Sequence, residues 1–203
     1  SGTNGMASLK GSGLAAICCP LCGGAEDQFE RSLKGFTLVQ CKGCALVFVN
    51  PQLSVEALLA IYQDQDSKNL ERLRGIYADL ATPSVLAEYD RKLDRLEVML
   101  GRKGKILDFA CAAAYFLERA AANGWDAHGV DIGGWAREVA EARGVNNVHI
   151  GHLSDLNFPH GHFDVIYVAQ ALEHLQSPLV TLEEIRRILR PGGKFVAFDP
   201  NRM

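Results

Sequence analysis

The pattern of hydrophobic and polar positions changes near residue 105 and divides the chain into two parts. Beyond that point, short apolar runs alternate with segments in which apolar residues recur every three or four positions. The first pattern is typical of buried strands, and the second is typical of helices that bury one face. The predicted strands are 106–109, 127–131, 148–150, 163–169 and 194–198, and the predicted helices are 115–123, 135–143 and 178–189. Strands separated by single helices predict right-handed crossovers and an α/β fold with a parallel, doubly wound sheet.

The first half of the chain predicts smaller elements. The segment 29–39 predicts a short hairpin, and the apolar run at 46–49 predicts a further strand. Ser54 is a suitable N-cap for one helix. Thr82-Pro83 predicts the start of a second helix, because proline suits the first helical position.

Four cysteines in two Cys-x-x-Cys pairs flank the predicted hairpin. The pairs are Cys19 with Cys22 and Cys41 with Cys44. Four thiolates satisfy a tetrahedral zinc, and a gap of two residues lets one tight turn present two sulfurs to the metal. Gly23 and Gly43 suit left-handed backbone in such turns, and the spacing favours Cys19 over the adjacent Cys18. A closed four-sulfur site has no open position, so we predict a structural zinc in a zinc ribbon; disulfides or unrelated core cysteines are the alternatives.

Composition narrows the classes of partner. Of the 203 residues, 48% are hydrophobic and 22% are charged, as in an ordinary globular protein. The formal net charge of −3 argues against a nucleic-acid partner. The sequence has no apolar run of membrane-spanning length and no secretion signal in its first residues. Paired thiols without such a signal favour the reducing cytoplasm.

Two acids lie at the ends of predicted strands. Asp108 ends the first strand of the second half, and Asp131 ends the next. Ligands of doubly wound sheets bind beyond the carboxyl ends of the strands, where an acid can accept hydrogen bonds from the ribose hydroxyls of an adenosine group. Either acid could equally be an exposed loop residue, so their positions leave both interpretations open.

Five short motifs follow one another through 103–203. They are Ile106-Leu107-Asp108, His128-Gly129-Val130-Asp131-Ile132, Phe163-Asp164-Val165-Ile166, Leu172-Glu173-His174-Leu175 and Ile188-Leu189-Arg190-Pro191-Gly192-Gly193. Together they resemble a class I S-adenosylmethionine-dependent methyltransferase. The arrangement of a cysteine ribbon ahead of this core resembles that of bacterial methyltransferases that modify sugars, including sugar C-methyltransferases. The resemblance implies S-adenosylmethionine as cofactor and a small-molecule acceptor, such as a sugar or nucleotide-sugar.

The residue patterns, together with the resemblance over 103–203, predict a domain organisation. The expected segments are a flexible N-terminus at 1–16, a zinc ribbon at 17–50, a helical linker at 51–102 and a methyltransferase-like Rossmann core at 103–203. The family normally has two further strands after the fifth. We therefore expect either that the chain is a piece of a longer protein, or that a short tail, a partner or self-association covers this sheet edge.

Several site residues are implied by the resemblance. The cofactor-binding positions are Asp108, Ala110, Ala112, Asp131, Ile132, Asp155 and Gln170. Asp155 is included because His152 stands where the family usually has the acid near the adenine amino group. Gln170 would border the methionine end of the cofactor, and Tyr115 would face the same pocket. His174 is the candidate catalytic base, since imidazole titrates near neutrality; the alternative is a structural histidine that fixes its loop.

One motif departs from the family pattern. The family loop reads Asp-x-Gly-x-Gly-x-Gly, whereas this chain has Ala110, Ala112 and Ala114 at the three glycine positions. Left-handed backbone at alanine costs about 1 kcal/mol per site, unless the loop instead adopts negative φ throughout. Enzymatic activity is therefore uncertain, and the alternative function is a non-catalytic methyltransferase-like scaffold that acts through its ribbon and sheet.

Overall fold

Short strands and one helix make up the N-terminal unit. The computed structural model describes residues 13–33, 36–63, 75, 77 and 81–199, which divide into two units between Ile61 and Tyr62. The elements up to residue 63 are β1 (Leu14–Ala15), β2 (Asp27–Leu33), β3 (Phe36–Cys41), β4 (Val47–Val49), β5 (Gln52–Leu53) and α1 (Val55–Gln63). None of the described helices is long and apolar enough to cross a bilayer.

The N-terminal unit is built around a small antiparallel sheet in the order β2-β3-β4. The predicted hairpin is confirmed, since β2 pairs antiparallel with β3. Val39 of β3 is in register with Phe48 of β4, and both are buried with Cys19 and Cys41 in one cluster. The apolar core is thus small and lies directly beside two of the four predicted metal ligands.

A short strand lies within the N-terminal segment that is expected to be flexible. Residues 1–12 lie outside the described residues, but Leu14 of β1 pairs with Leu53 of β5. The N–H of Ser54 also donates to the Gly13 carbonyl at 2.5 Å. β1 thus lies inside the segment 1–16, whose flexibility stays a prediction.

A five-stranded parallel sheet forms the second unit, and the predicted α/β fold is confirmed. The elements are α2 (Pro83–Leu100), β6 (Lys105–Phe109), α3 (Tyr115–Ala122), β7 (Asp126–Asp131), α4 (Trp135–Ala142), β8 (Val148–Ile150), β9 (Phe163–Ala169), α5 (Pro178–Ile188) and β10 (Leu189–Phe198). The strand order is β10-β9-β6-β7-β8. The order reverses between β6 and β9, which is where such sheets bind ligands.

Each face of this sheet has its own apolar core. One cluster joins Leu93 and Leu96 of α2 to Phe116 of α3 and to Tyr167 of β9. The second lies on the opposite face and includes Ile185 of α5. The helix predicted from Thr82-Pro83 begins as expected, because the Thr82 hydroxyl accepts the N–H of Val85 at 3.4 Å.

The last strand is longer than predicted. β10 begins at Leu189, which pairs with Phe163, and the register then shifts before Lys194 pairs with Val165. Gly192, in the predicted turn, has a φ of +78°. The predicted turn is therefore an irregularity within β10 and does not precede the strand, because residues on both sides of it pair with β9.

Candidate functional site

The loop after β6 has left-handed backbone at all three positions where the family has glycine. The φ angle is +61° at Ala110, +45° at Ala112 and +58° at Ala114. The N–H groups of Ala110 and Cys111 both donate to the Val130 carbonyl, at 2.8 and 3.1 Å. The alternative of negative φ throughout is thus wrong. Each alanine bears the strain of a left-handed L-residue, about 1–2 kcal/mol.

The three alanine methyl groups have different surroundings. Ala114 is 1% exposed and belongs to the core cluster on the α2 face. Ala110 is partly buried against the cluster on the other face. Ala112 is also partly exposed, and neither core cluster includes it. Ala112 is therefore the position at which an added methyl group is most able to meet a ligand.

Asp131 ties this loop to the end of β7. Its Oδ2 accepts the N–H of Ala112 at 2.9 Å, and its Oδ1 accepts the N–H of Gly133 at 2.7 Å. Burial raises the pKa of Asp131, while these N–H groups and that of Ile132 oppose the rise. The carboxylate is thus fixed in position, and of its roughly four lone-pair sites the three N–H groups leave capacity for a further donor.

Asp108 has a contrasting environment at the end of the neighbouring strand. It is 5% exposed, and no side chain or backbone group in the described part of the chain donates a hydrogen bond to its carboxyl. Burial raises the pKa of Asp108 well above its usual value, and the nearby charge of Asp131 adds to the rise. A buried acid without a donor is costly when ionised, so a cationic ligand group would stabilise it.

The turn after β9 forms a second part of the site. Gln170 is exposed and left-handed, with a φ of +52°, and its N–H donates to the Phe198 carbonyl at 2.7 Å. The N–H groups of Ala171 and Leu172 donate to Asp199 Oδ1, at 3.2 and 3.1 Å. Asp199 therefore shapes this turn. The sequence pattern did not single it out, although it follows the last predicted strand.

The candidate base lies on that turn. The His174 side chain is 61% exposed, and its Nε2 is 4.0 Å from Glu173 Oε1. Burial raises the pKa of Glu173, and a hydrogen bond with Asp199 contributes further. Glu173 is therefore a carboxyl group with a raised pKa beside His174. Sequence reasoning did not assign it a role, because glutamate is common in loops.

The remaining predicted site residues form no hydrogen bond or ion pair with Asp108 or Asp131 in the described part of the chain. Asp155 is exposed and accepts the Ser154 hydroxyl at 3.1 Å. The Tyr115 ring lies under the Arg143 guanidinium, whose central carbon is 3.8 Å from the ring centroid. Within the described residues, no hydrogen bond or ion pair joins Asp155, Gln170 or His174 to the acids at the ends of β6 and β7. The hydrogen-bonded centre therefore comprises the alanine loop and Asp131, with Asp108 beside it.

The four predicted metal ligands lie together in the N-terminal unit. The Sγ atoms of Cys19, Cys22, Cys41 and Cys44 all lie within 4.8 Å of one another. Sγ of Cys19 is 3.6 Å from that of Cys44. Burial works to raise the pKa of Cys19, but N–H groups of its own turn and the other thiols lower it to about 7. The cluster leaves out Cys18, which is exposed.

The two cysteine turns repeat one backbone pattern. The N–H of Gly23 donates to the Cys19 carbonyl, and the N–H of Ala45 donates to the Cys41 carbonyl, both at 2.9 Å. Gly23 and Ala45 are both left-handed, with φ of +72° and +63°. Gly43 is not among the left-handed residues, so its expected role is wrong. In both turns the left-handed residue is the one that follows the second cysteine of the pair. This residue is Gly23 in the first turn and Ala45 in the second.

Comparisons with known proteins agree on one family. A family model described as a methyltransferase domain matches residues 83–203, more than half of the chain. The ubiquinone biosynthesis O-methyltransferase of Roseobacter denitrificans is 30% identical over 154 residues, which cover 72% of this chain and 61% of that protein. The demethylmenaquinone methyltransferase of Staphylococcus haemolyticus is 29% identical over 105 residues, covering 48% and 44%. The chain thus spans about half to three fifths of the length of these relatives.

A solved structure gives the same result for the fold. The PH0226 protein of Pyrococcus horikoshii superposes with a TM-score of 0.53 at 26% sequence identity. The match covers 64% of this chain and 61% of that protein.

Proposed function

Since the chain belongs to the methyltransferase-domain family, we propose that it takes part in S-adenosylmethionine-dependent methyl transfer to a small molecule. The observation that carries the proposal is the bond from the Ala112 N–H to Asp131 Oδ2. This hydrogen bond holds the loop after β6 with left-handed backbone at alanine instead of glycine, next to a carboxylate that can accept a further hydrogen bond. Because the chain spans only about half to three fifths of the length of these relatives, the full activity is part of the proposal.

The side chains at the strand ends support binding of this cofactor. Asp131 would accept the ribose hydroxyls, because its carboxylate keeps acceptor capacity beyond the backbone N–H groups of Ala112, Ile132 and Gly133. Asp108 would pair with a cationic group of the cofactor. Its carboxyl is buried and accepts no hydrogen bond from the described residues. Ile132 and Asp155 remain proposed adenosine contacts, and Gln170 a proposed contact near the methionine end. When bound, the cofactor supplies an activated methyl group, and the chain supplies position and orientation.

Calorimetric titration tests this proposal directly. The zinc-loaded protein is titrated with S-adenosylmethionine and S-adenosylhomocysteine, beside a variant with glycine restored at positions 110, 112 and 114. Binding by the chain as it stands supports the proposal. Binding by the restored variant alone would mean that the alanine loop has lost the cofactor, and it would favour the scaffold function. Binding by neither protein would contradict the cofactor proposal.

The acceptor is proposed only by class. A cysteine ribbon ahead of the core favours a sugar or nucleotide-sugar, while the relatives are named for ubiquinone and demethylmenaquinone methylation. Labelled S-adenosylmethionine, offered with a panel of nucleotide-sugars and a panel of phenols, would separate these classes by the product that carries the label. Transfer to neither panel by a cofactor-binding protein would count against both classes.

His174 is the proposed base for the acceptor. Its exposure leaves the ring free to reach a ligand, and Glu173 lies within 4.0 Å. A histidine that only fixes the loop would make its main contacts with protein groups. His174→Gln should therefore lower kcat and flatten its pH profile, while leaving S-adenosylhomocysteine affinity unchanged. A loss of that affinity would instead favour the structural role.

We also propose that the four clustered cysteines hold one structural zinc. Four thiolates within 4.8 Å match the donor set of a closed tetrahedral site. Metal analysis should give one zinc per chain, and a chelator should unfold the N-terminal unit, since metal binding is coupled to folding in such ribbons. A zinc content far below one per chain would contradict this assignment.

The scaffold function has one observation in its favour. Among the described strands, β10 pairs with β9 alone and lies at the sheet edge. Phe195 and Phe198 on it are 39% and 42% exposed. Unpaired edges with exposed apolar groups invite strand addition by another chain or by a second copy. Self-association that is lost in a Phe195→Lys variant would support this function. A monomer at all concentrations would argue against self-association.

A further inference from the structure

Two aromatic rings pack beside the loop that follows Asp131. Trp135 begins α4 and is 7% exposed. A side-chain carbon added to Gly133 would lie 2.6 Å from Trp135 Nε1 and 3.2 Å from Asp131 Oδ1. The indole and the carboxylate therefore leave no room for a side chain at position 133, and the Gly133 backbone lies directly against both.

Tyr77 supplies the second ring. Its centroid is 5.5 Å from that of Trp135, and the two ring planes are tilted by 30°. This separation is within the range of favourable aromatic contact. Tyr77 precedes the residues that match the methyltransferase-domain model, 83–203, so the contact joins the matched core to a residue outside it.

Trp135 is thereby linked to the hydrogen bonds that fix Asp131. The Gly133 N–H donates to Asp131 Oδ1 at 2.7 Å, and the Ala112 N–H donates to Oδ2 at 2.9 Å. Loss of the indole contact would let the Gly133 backbone shift, and the carboxylate would turn with its donor. The direction of the remaining acceptor site on Asp131 thus depends on packing from Trp135, because a binding group is held precisely only when its neighbours are locked.

We propose that Tyr77 and Trp135 are positioning residues for Asp131, through which this chain distinguishes a ribose from a 2′-deoxyribose in the cofactor. Binding of a hydroxyl group to a carboxylate that is already fixed costs less conformational freedom than binding to one that must be ordered first. The two rings act through Gly133 and need no contact with the ligand themselves. The inference rests on the proposed cofactor binding and adds the residues that determine its ribose selectivity.

The 2′-deoxyribose analogue of S-adenosylhomocysteine tests this role without turnover. Calorimetry gives the affinity of the zinc-loaded protein for S-adenosylhomocysteine and for the analogue, and the ratio of the two affinities measures ribose selectivity. Tyr77→Ala should reduce this ratio by about fivefold to tenfold, because the parent ligand loses a charge-assisted hydrogen bond that the analogue never forms. Tyr77→Phe keeps the ring and should keep the ratio. Trp135→Phe, which replaces the indole by a smaller ring, should reduce the ratio as Tyr77→Ala does.

Tyr89→Ala is the matched control. Tyr89 pairs with another ring of the core, since its centroid is 5.6 Å from that of Phe116. Its loss should lower the melting temperature and leave the affinity ratio unchanged. Equal weakening of both ligands in Tyr77→Ala, an unchanged ratio in that variant, or a lower ratio in Tyr89→Ala would each overturn the proposal.

A second measurement decides the positioning role if S-adenosylhomocysteine does not bind, a result that would overturn the proposed function. Urea denaturation of Tyr77→Ala, Asp131→Asn and the double variant gives the coupling between the two positions in stability. The two losses of stability should not add, because the rings support the hydrogen bonds of Asp131. Simple additivity of the two losses would overturn the inference.

Discussion

The Ala112 N–H donates to Asp131 Oδ2 at 2.9 Å, although the two residues are 19 positions apart. The other oxygen of the same carboxylate accepts the N–H of Gly133. Asp131 thereby joins the loop after β6 to the loop after its neighbour β7. Two loops that the chain separates by a complete helix are held as one surface by a single side chain.

Asp131→Asn should destabilise the protein by about 1–3 kcal/mol, because one oxygen becomes an amide donor that faces a backbone N–H. Affinity for S-adenosylhomocysteine should fall in the same variant. Urea denaturation and calorimetry measure the two effects. Asp155→Asn, at an exposed position, is the control and should leave stability within about 0.5 kcal/mol of the parent. Unchanged stability of Asp131→Asn would mean that the loop does not depend on this bond.

Ala112→Gly should stabilise the protein by up to about 1 kcal/mol. Relief of the left-handed strain outweighs the added entropy of the unfolded chain, and little packing is lost because Ala112 belongs to neither core cluster. Cofactor affinity should rise as well, since a partly exposed methyl group is removed. Ala113→Gly, at a buried alanine without positive φ, should instead lower stability. A destabilising Ala112→Gly would contradict the strain assignment.

Asp108→Asn should raise the free energy of unfolding at neutral pH while weakening cofactor binding. Burial first, and then the charge of Asp131, raise the pKa of Asp108 in the folded state. Its stabilising effect is complete below the usual value of 3.8 and is lost as pH rises through the raised pKa. The amide is never ionised, so the gain should disappear at low pH. Denaturation curves at several pH values test this, and equal stability at neutral pH would be the contrary result.

Three histidines should make the second unit less stable in mild acid. Burial lowers the pKa of His128, His149 and His162, and the ring centroid of Phe158 is 5.0 Å from that of His149. Above the ordinary value of 6.5, both folded and unfolded states are neutral. As pH falls through 6.5, the unfolded chain takes up protons first, so the free energy of unfolding decreases until the folded-state pKa values are passed.

The charges around these rings define the control experiment. Asp126 Oδ1 is 3.0 Å from His128 Nε2 and opposes its shift, whereas Lys105 adds to the lowering at His128 and His162. His149→Gln should reduce the loss of stability between neutral pH and pH 5. The same substitution at exposed His160 controls for the removal of any histidine. Identical pH profiles of the two variants would exclude this explanation.

Most of the α/β unit could be predicted from the sequence because its elements depend on local patterns. The apolar run at Phe163–Ala169 and the Thr82-Pro83 helix start both lie where expected. The start of β10 could not be predicted in this way. Its pairing of Leu189 with Phe163 depends on a distant strand, while Pro191 and Gly192 locally favour a turn.

The site was predicted less completely, for a related reason. The clustering of the four cysteines could be predicted because their spacing carries the signal, and Asp131 was singled out because it ends a predicted strand. The left-handed alanines could not be assigned, since no property of Ala112 favours positive φ; its partner Asp131 is supplied by the next strand.

The carbonyl of Val130 has a consequence for how such chains are classified. It accepts two N–H groups from the loop after β6 and so imposes the loop path from outside. A sequence motif that requires glycine in this loop would not match the chain. A structural criterion based on the two hydrogen-bond acceptors, the Val130 carbonyl and the Asp131 carboxylate, would match it. Alanine at these three positions is therefore compatible with the left-handed loop path for which glycine is the usual residue.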